Sequence, residues 1–360
     1  MTKTSLLRPT LLPGLSRLWR DRHTLQLGLD PRCAVLLELA DPRAVDLLDL
    51  LDGSRTERSV LASAARLGVA ASDARTLLGS LRDAGLVVGA NSLLPGALPE
   101  PVRRRLSAEA AALALRGIGA PASPAQILRR RLAARVVVTG RGRLAAPVAV
   151  ALASAGVGHV VPDLQGVVRH PEPLAGLGPA DVGRPNGAAV TAAIERVAPG
   201  TRTGPVGHQQ RAKVVVQAGS DRPAALAAAA FSYRRQAHLL VDIREGTPTV
   251  GPFVPARGGP CLNCLDLHRR DRDPGWPALA GQLRAGGNEP CSTPTMLAAA
   301  SYAAAEVLAY VDGHMPETLA AAVEISAPGR QRRRSWPPHP ACGCVRGSWR
   351  AAATQKRRSQ

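Results

Sequence analysis

The sequence predicts an α/β protein in two parts, a winged helix-turn-helix module followed by a doubly wound sheet, and three observations carry that reading. Over residues 1–95, short apolar strands alternate with three glycine-stopped helical stretches. From residue 134 onward, β-branched runs alternate with Ala-rich helical runs, the pattern of a mostly parallel sheet. Four of the six cysteines stand as two close pairs, at 261/264 and 342/344.

In the first part, "TLQLGL" sets Leu25, Leu27 and Leu29 against Thr24, Gln26 and Gly28, the alternation of a half-buried strand. "AVLLEL" is a second strand. Asp41 and Pro42 supply a cap and a first-turn proline for a helix through "RAVDLLDLL", which Gly53 ends. "TERSVLASAARLG" and "SDARTLLGSLRDAG" predict two further helices, with apolar residues three and four apart and a glycine stop, and "LVV" closes the module as a strand.

Such a module can bind DNA through its third helix. Here that helix sets Asp73 and Asp83 against Arg75 and Arg82, and residues 1–95 carry ten acids against twelve bases, so phosphate attraction nearly vanishes. Nucleic acid is therefore not the expected partner. A peptide added to an exposed strand edge fits the charges better, with Leu25, Leu27 and Leu29 marking the strand concerned.

The net charge of +19 is unevenly spread: +2 over residues 1–95, +6 over 96–135, +2 over 136–326 and +9 over 327–360. Residues 96–133, with "RRR", "ILRRRL" and several prolines, read as a basic linker containing a short helix. Near the C-terminal end, "RQRRR" and "QKRRSQ" read as solvated, and residues 347–360 as a basic disordered tail.

Between them, residues 134–346 open with "ARVVVTGRGRLAAPVAVALASAGVGHVVPD", which reads as strand, glycine turn, apolar helix and strand. Gly140 and Gly142 take the first two positions of a G-x-G-x-x-G turn and Ala145 the third, an arrangement that serves either tight strand–helix packing or a nucleotide phosphate. "KVVVQAGSD" and "HLLVDI" add strands, and "TMLAAASYAAAEVLAYVDG" is a helix with a glycine stop.

Cys261 with Cys264 and Cys342 with Cys344 have the layout of a structural zinc site, in which each pair chelates locally and the ion pins the C-terminal segment back onto the region around Cys261. A redox pair or unrelated buried thiols are the alternatives. The chain shows no signal peptide and no apolar run of about 18 residues, so a cytoplasmic protein without a membrane span is expected, and that compartment favours metal over disulfide. His268 and His339 flank the pairs and are candidate supporting groups or replacement ligands.

The order of "AGVG", "DVGRPNGAAVTAAIERVAP", "PCLNC", "AAAEVLAYVDG" and the closing cysteine pair resembles the ThiF-type family of ubiquitin-activating-like adenylyltransferases over about residues 134–346. That resemblance implies a Rossmann-like sheet with its zinc tetrad at Cys261, Cys264, Cys342 and Cys344. It also implies a nucleotide site around Gly140, Gly142 and Asp221. That family handles ATP with acidic residues, an Asn-Leu-x-Arg-Gln stretch and a lysine. Here Asp163 is followed by "LQGVVRHPEP" without that stretch, no lysine lies between Lys3 and Lys213, and the spacing around Asp221 is off, so the ATP site reads as dismantled and ATP as a doubtful cofactor. Cys291 falls near where some relatives carry a reactive thiol. Residues 8–90, through "PGLSRLWRDRHTLQLGL" and "LLGSLRDAGLV", resemble the winged-helix recognition elements that bind leader peptides of ribosomally made natural products. The whole arrangement resembles the ThiF-like partner proteins of azoline-forming cyclodehydratases. This implies a precursor leader peptide and a separate YcaO-type enzyme as partners and a homodimer as a plausible assembly; the alternative is an adenylyltransferase acting on a peptide or carrier-protein C-terminus.

Overall fold

The computed structural model describes residues 8–31, 34–39, 41–118, 120–207, 210–219, 224–282 and 289–344, and the chain divides into two compact units, Met1–Arg129 and Arg130–Gln360. In the first unit, β1 (Pro9–Leu11) pairs antiparallel with β5 (Val87–Gly89). A separate three-stranded antiparallel sheet has the order β2 (Arg17–Trp19), β3 (Thr24–Leu27), β4 (Val35–Glu38). A 3₁₀ turn, Pro42–Val45, leads into the single turn α1 (Asp46–Asp49), and the Asp41 carboxylate accepts the Arg43 N–H at 2.9 Å, as the Asp-Pro start implies. Helices α2 (Glu57–Arg66) and α3 (Ala71–Asp83) follow, the first capped by Thr56, whose hydroxyl accepts the Ser59 N–H. Leu25, Leu27, Leu47, Leu48, Val60 and Leu81 are fully buried in one core.

Two sequence expectations change here. Gly28 adopts φ +88° and ends β3, so Leu29 lies outside the strand and is 69% exposed. The stretch read as a basic linker holds α4 (Ala90–Leu93), the seventeen-residue α5 (Glu100–Arg116) and α6 (Pro124–Ala133). The arginine run sits in the first turns of α5, while Leu106, Ala110 and Ala114, four residues apart, form its buried stripe.

The second unit is built on a seven-stranded sheet comprising β6 (Arg135–Gly140), β7 (His159–Leu164), β8 (Val214–Ala218), β9 (His238–Arg244), β10 (Thr247–Val254), β11 (Ala321–Ala327) and β12 (Arg330–Ser335), in the order β12-β11-β10-β9-β8-β6-β7. The four strands β7-β6-β8-β9 run parallel and the other three antiparallel, so the sheet is more mixed than the sequence implied. Tight turns make the difference: Glu245 and Gly246, both at positive φ, fold β9 back onto β10. "RQRRR", read as a solvated end, is the outer strand of a second hairpin, entered through Gly329 at φ +77°.

Helices α7 (Ala145–Ser154), α8 (Asn186–Val197) and α12 (Thr293–Asp312) join the main core, which takes Leu239 and Val241 from β9. Leu240, between them, points to the other face and a smaller cluster with Ala228 of α9 (Ala224–Tyr233), Leu262 of α10 (Leu262–Arg272) and three cysteines; α11 (Trp276–Gln282) follows α10. Near the start of this unit, Arg131 forms a buried two-pronged ion pair with Asp312 at the end of α12, at 2.9 and 2.7 Å.

Candidate functional site

From β6 the chain crosses to β7 on one side, and from β8 it crosses to β9 on the other. The carboxyl ends of β6 and β8 are therefore a switch point, where an open α/β sheet forms its crevice. Gly140 turns the chain there at φ +111°, and a methyl group in its place would stand 2.0 Å from the Ala218 carbonyl oxygen, so only glycine fits. A cavity of ≈ 520 Å³ lies beside the turn, lined among others by Arg141, Arg143, Leu164, Val168 and Asn186. A second, of ≈ 430 Å³, holds Thr139, Asp163, Gln165 and Gln217.

The backbone donors that such a turn would aim at a phosphate are already used. The Ala218 carbonyl accepts the N–H groups of Arg141 at 3.1 Å and Gly142 at 3.4 Å. Just ahead of α7, the Arg143 N–H donates to the Glu289 carboxylate at 2.8 Å. The Arg143 guanidinium bridges the Glu289 carbonyl oxygen at 2.8 Å and the Glu172 carboxylate at 2.6 Å. Both carboxylates are buried, and burial, together with Asp242 and Glu172, pushes the Glu289 carboxyl up despite the Arg143 N–H it accepts. The chain thus places its own anion at the start of α7. Across the turn, Thr139 donates to Asp163 at 3.2 Å and Arg141 to Gln165 at 2.9 Å, and Asn186 donates to the Gln165 carbonyl at 2.8 Å.

Asp221 lies outside the described residues. Cys291 is half-buried; burial pushes its thiol up, Arg143 opposing and Glu172 adding, which is the reverse of an activated thiolate.

The cysteine pairs meet at the start of α10. Cys261 and Cys342 sulfurs are 3.6 Å apart, Cys264 and Cys344 3.3 Å, Cys261 and Cys264 4.0 Å, and all four lie within 4.8 Å of one another. A disulfide needs about 2.05 Å. A tetrahedral zinc with Zn–S of about 2.3 Å sets sulfurs about 3.8 Å apart, so this donor set fits the ion. Burial pushes the Cys261 thiol up to about 11 and that of Cys344 higher still, each helped by neighbouring thiols. Cys342 is drawn down to about 7: burial opposes, but the Cys344 backbone N–H and the Asn263 amide, 3.3 Å from its sulfur, outweigh it. Four thiols so close cannot all ionise without a cation among them.

His268 and His339 brace the segment. His268 Nε2 contacts the Pro337 carbonyl oxygen at 2.9 Å, and His339 Nε2 contacts Asp271 at 2.7 Å while its Nδ1 accepts the Ala341 N–H at 3.1 Å. Both ring nitrogens of His339 are therefore engaged, leaving it a support beside the sulfurs. His268, Asp271 and His339 also lie close enough together to form a ligand group of their own.

In the first unit, β3 is the central strand of its sheet. Leu25 and Leu27 are 1% and 0% exposed, so their side chains are core and an added strand has no access to β3. Among the described residues the open edges are β2 and β4; Leu36 on β4 is 51% exposed and stands in register with Gln26 and Leu18 on the outer face.

No family model and no curated protein matches the sequence. Solved structures do match. Escherichia coli MccB with ATP aligns with a TM-score of 0.61 at 14% identity, over 93% of this chain and 99% of that one. The chain has the MccB fold. The microcin C7 biosynthetic enzyme MccB in complex with N-formylated MccA aligns at 0.60 and 13%, over 93% and 99%. A heterocyclase in complex with substrate and cofactor aligns at 0.59 and 15%, over 94% of this chain but 39% of its own. The fold is thus shared with these proteins along nearly the whole chain. Among the described residues, no helix is long and apolar enough to cross a membrane.

Proposed function

We propose that this protein is a leader-peptide-binding partner in the maturation of an azoline-containing ribosomal peptide, working beside a separate YcaO-type cyclodehydratase in the cytoplasm. Its first unit acts as a winged-helix recognition element, and its ThiF-like unit is a zinc-stapled scaffold that performs no adenylation. The observation that carries this reading is the engagement of the glycine turn by Ala218 and Glu289, which occupy the backbone N–H groups of Arg141, Gly142 and Arg143. The fold it shares with MccB bound to N-formylated MccA and with a substrate-bound heterocyclase supports a peptide substrate. The heterocyclase's additional length supports a partner supplied in trans.

The leader would add as a strand to β4, where Val35 to Glu38 offer an open main-chain edge beside exposed Leu36. Titrating the full-length protein with the precursor's leader peptide tests this. Leu36→Asp should weaken binding about tenfold, the cost of losing one apolar contact and setting a carboxylate at the junction. Unchanged affinity refutes the edge. The second reading, an ATP-dependent adenylyltransferase, is favoured by the likeness to MccB with ATP. Peptide-dependent pyrophosphate exchange by the purified protein would establish it and remove the first.

A further inference from the structure

The outer edge of the large sheet carries a feature that neither the nucleotide turn nor the leader-binding edge uses. All six residues of β12 are exposed, and alternation along the strand puts Arg330, Arg332 and Arg334 on one face. That face is turned away from the main core, since Val323 and Ile325, in register with Arg333 and Gln331, belong to that core. Arg334 pairs with Glu324 at 2.8 Å, whereas Arg333, one residue away, donates to the Glu317 carbonyl on the opposite side. Arg269 of α10, stacked over Trp276 at 4.9 Å, points into the same region. Its charge is disfavoured first by burial and then by Arg244, Arg334 and Arg272, against the single opposing charge of Asp266. Positive charge is thus crowded along a strand whose outward main-chain groups have no sheet partner among the described residues.

We propose that β12 is a docking edge for an acidic, extended segment of another protein, which pairs with it as an eighth strand and sets carboxylates against Arg330, Arg332 and Arg334. Residues two apart on a strand are about 6.7 Å apart, so glutamates at alternate positions fall opposite these arginines. A second copy of this chain does not fit, because β12 against β12 would oppose arginine to arginine. The open main-chain edge favours a polypeptide over a nucleic acid, which would use the charge and leave the N–H and C=O groups unpaired.

Full-length zinc-loaded protein is titrated, at physiological salt, with a synthetic peptide of alternating Glu and Val. The control probes are the same peptide N-methylated at the pairing amides, its Lys and Val counterpart, and a single-stranded oligonucleotide. The Glu peptide should bind, N-methylation should weaken it about tenfold or more, and R332E about three- to fivefold. The triple reversal R330E/R332E/R334E should exchange preference to the Lys peptide. Zinc content and melting temperature report whether each variant is folded, and the N-methylated probe tests the edge on the unmodified protein. Oligonucleotide binding as tight as the Glu peptide, indifference to N-methylation, or no binding of the Glu peptide would each overturn the proposal. Leader-peptide binding at β4 is untouched by any of these outcomes, so the two readings fail separately.

Discussion

If the four cysteines hold the zinc that their geometry fits, removing it should release residues 336–344 and leave the sheet folded. Ordering these nine residues costs on the order of 9–18 kcal/mol of conformational freedom. The hydrogen bonds that tie this segment to the rest of the chain without sulfur are His268–Pro337 at 2.9 Å, His339–Asp271 at 2.7 Å and the Trp336 N–H to the Ala320 carbonyl at 3.1 Å. At about 1 kcal/mol each they return about 3 kcal/mol, far short of the cost. A structural zinc contributes about 10–16 kcal/mol at neutral pH, which closes the difference. The main core contains none of the four cysteines, so it should survive. Hydrogen exchange before and after chelation is the assay: amides of 336–344 should lose protection while those of β6 and β8 keep it. Cys264→Ser should reproduce the effect. Asn263→Ala, which removes only a donor to Cys342, should retain the metal. A purified protein without zinc, or protection at 336–344 that outlasts chelation, would refute the staple.

The remaining predictions concern the scaffold. Gly140→Ala, driving a methyl into the Ala218 oxygen at positive φ, should cost at least about 3 kcal/mol in a denaturant titration, whereas Gly142→Ala, whose nearest contacts would be 3.4 Å, should cost less than about 1 kcal/mol. Asp312→Ala strands Arg131 in the interior and should cost about 3–5 kcal/mol, while Arg131→Met combined with Asp312→Leu should cost much less. Burial holds His238 down at about 4, so the folded protein binds that proton less readily than the unfolded chain. Its contribution is complete above about pH 6.5 and is lost as pH falls toward about 4, by about 3 kcal/mol. His238→Phe, keeping the stack on Phe231, should flatten this limb of the stability profile.

What could be read from the sequence was local or strongly periodic. The β6–turn–α7–β7 unit is written in contiguous residues, and the pairing of Cys261/Cys264 with Cys342/Cys344 follows from metal-ligand spacing. The leucine alternation at 25, 27 and 29 identified a strand, but its position in the sheet depends on β2 and β4 pairing on either side, and periodicity does not encode that. Hence a core strand was expected to be an edge. Charge concealed other elements: arginines in α5 and β12 masked a buried apolar stripe and a Pro-Gly hairpin turn. The groups that close the nucleotide turn were not legible at all. Arg143 and Glu289 are 146 residues apart, and an acid beside Pro290 carries no signal of the helix start it reaches.

These differences share a direction. Where a nucleotide would need the main chain, at Arg141, Gly142 and Arg143, the donors have acceptors from the same chain. Where an added strand would need it, at β4 and β12, main-chain groups face outward at edges that are open among the described residues. Binding energy from strand addition requires unpaired backbone, whereas adenylation requires unpaired donors aimed at phosphate and a cation to neutralise charge. The fold holds the first kind of opening at two separate edges, and at the switch point it has filled the second. The four sulfurs link the two observations. By anchoring α10 to the segment that follows β12, a metal there would keep Arg269 beside Arg334, so the same ion that holds the chain's end would also shape the surface that β12 presents.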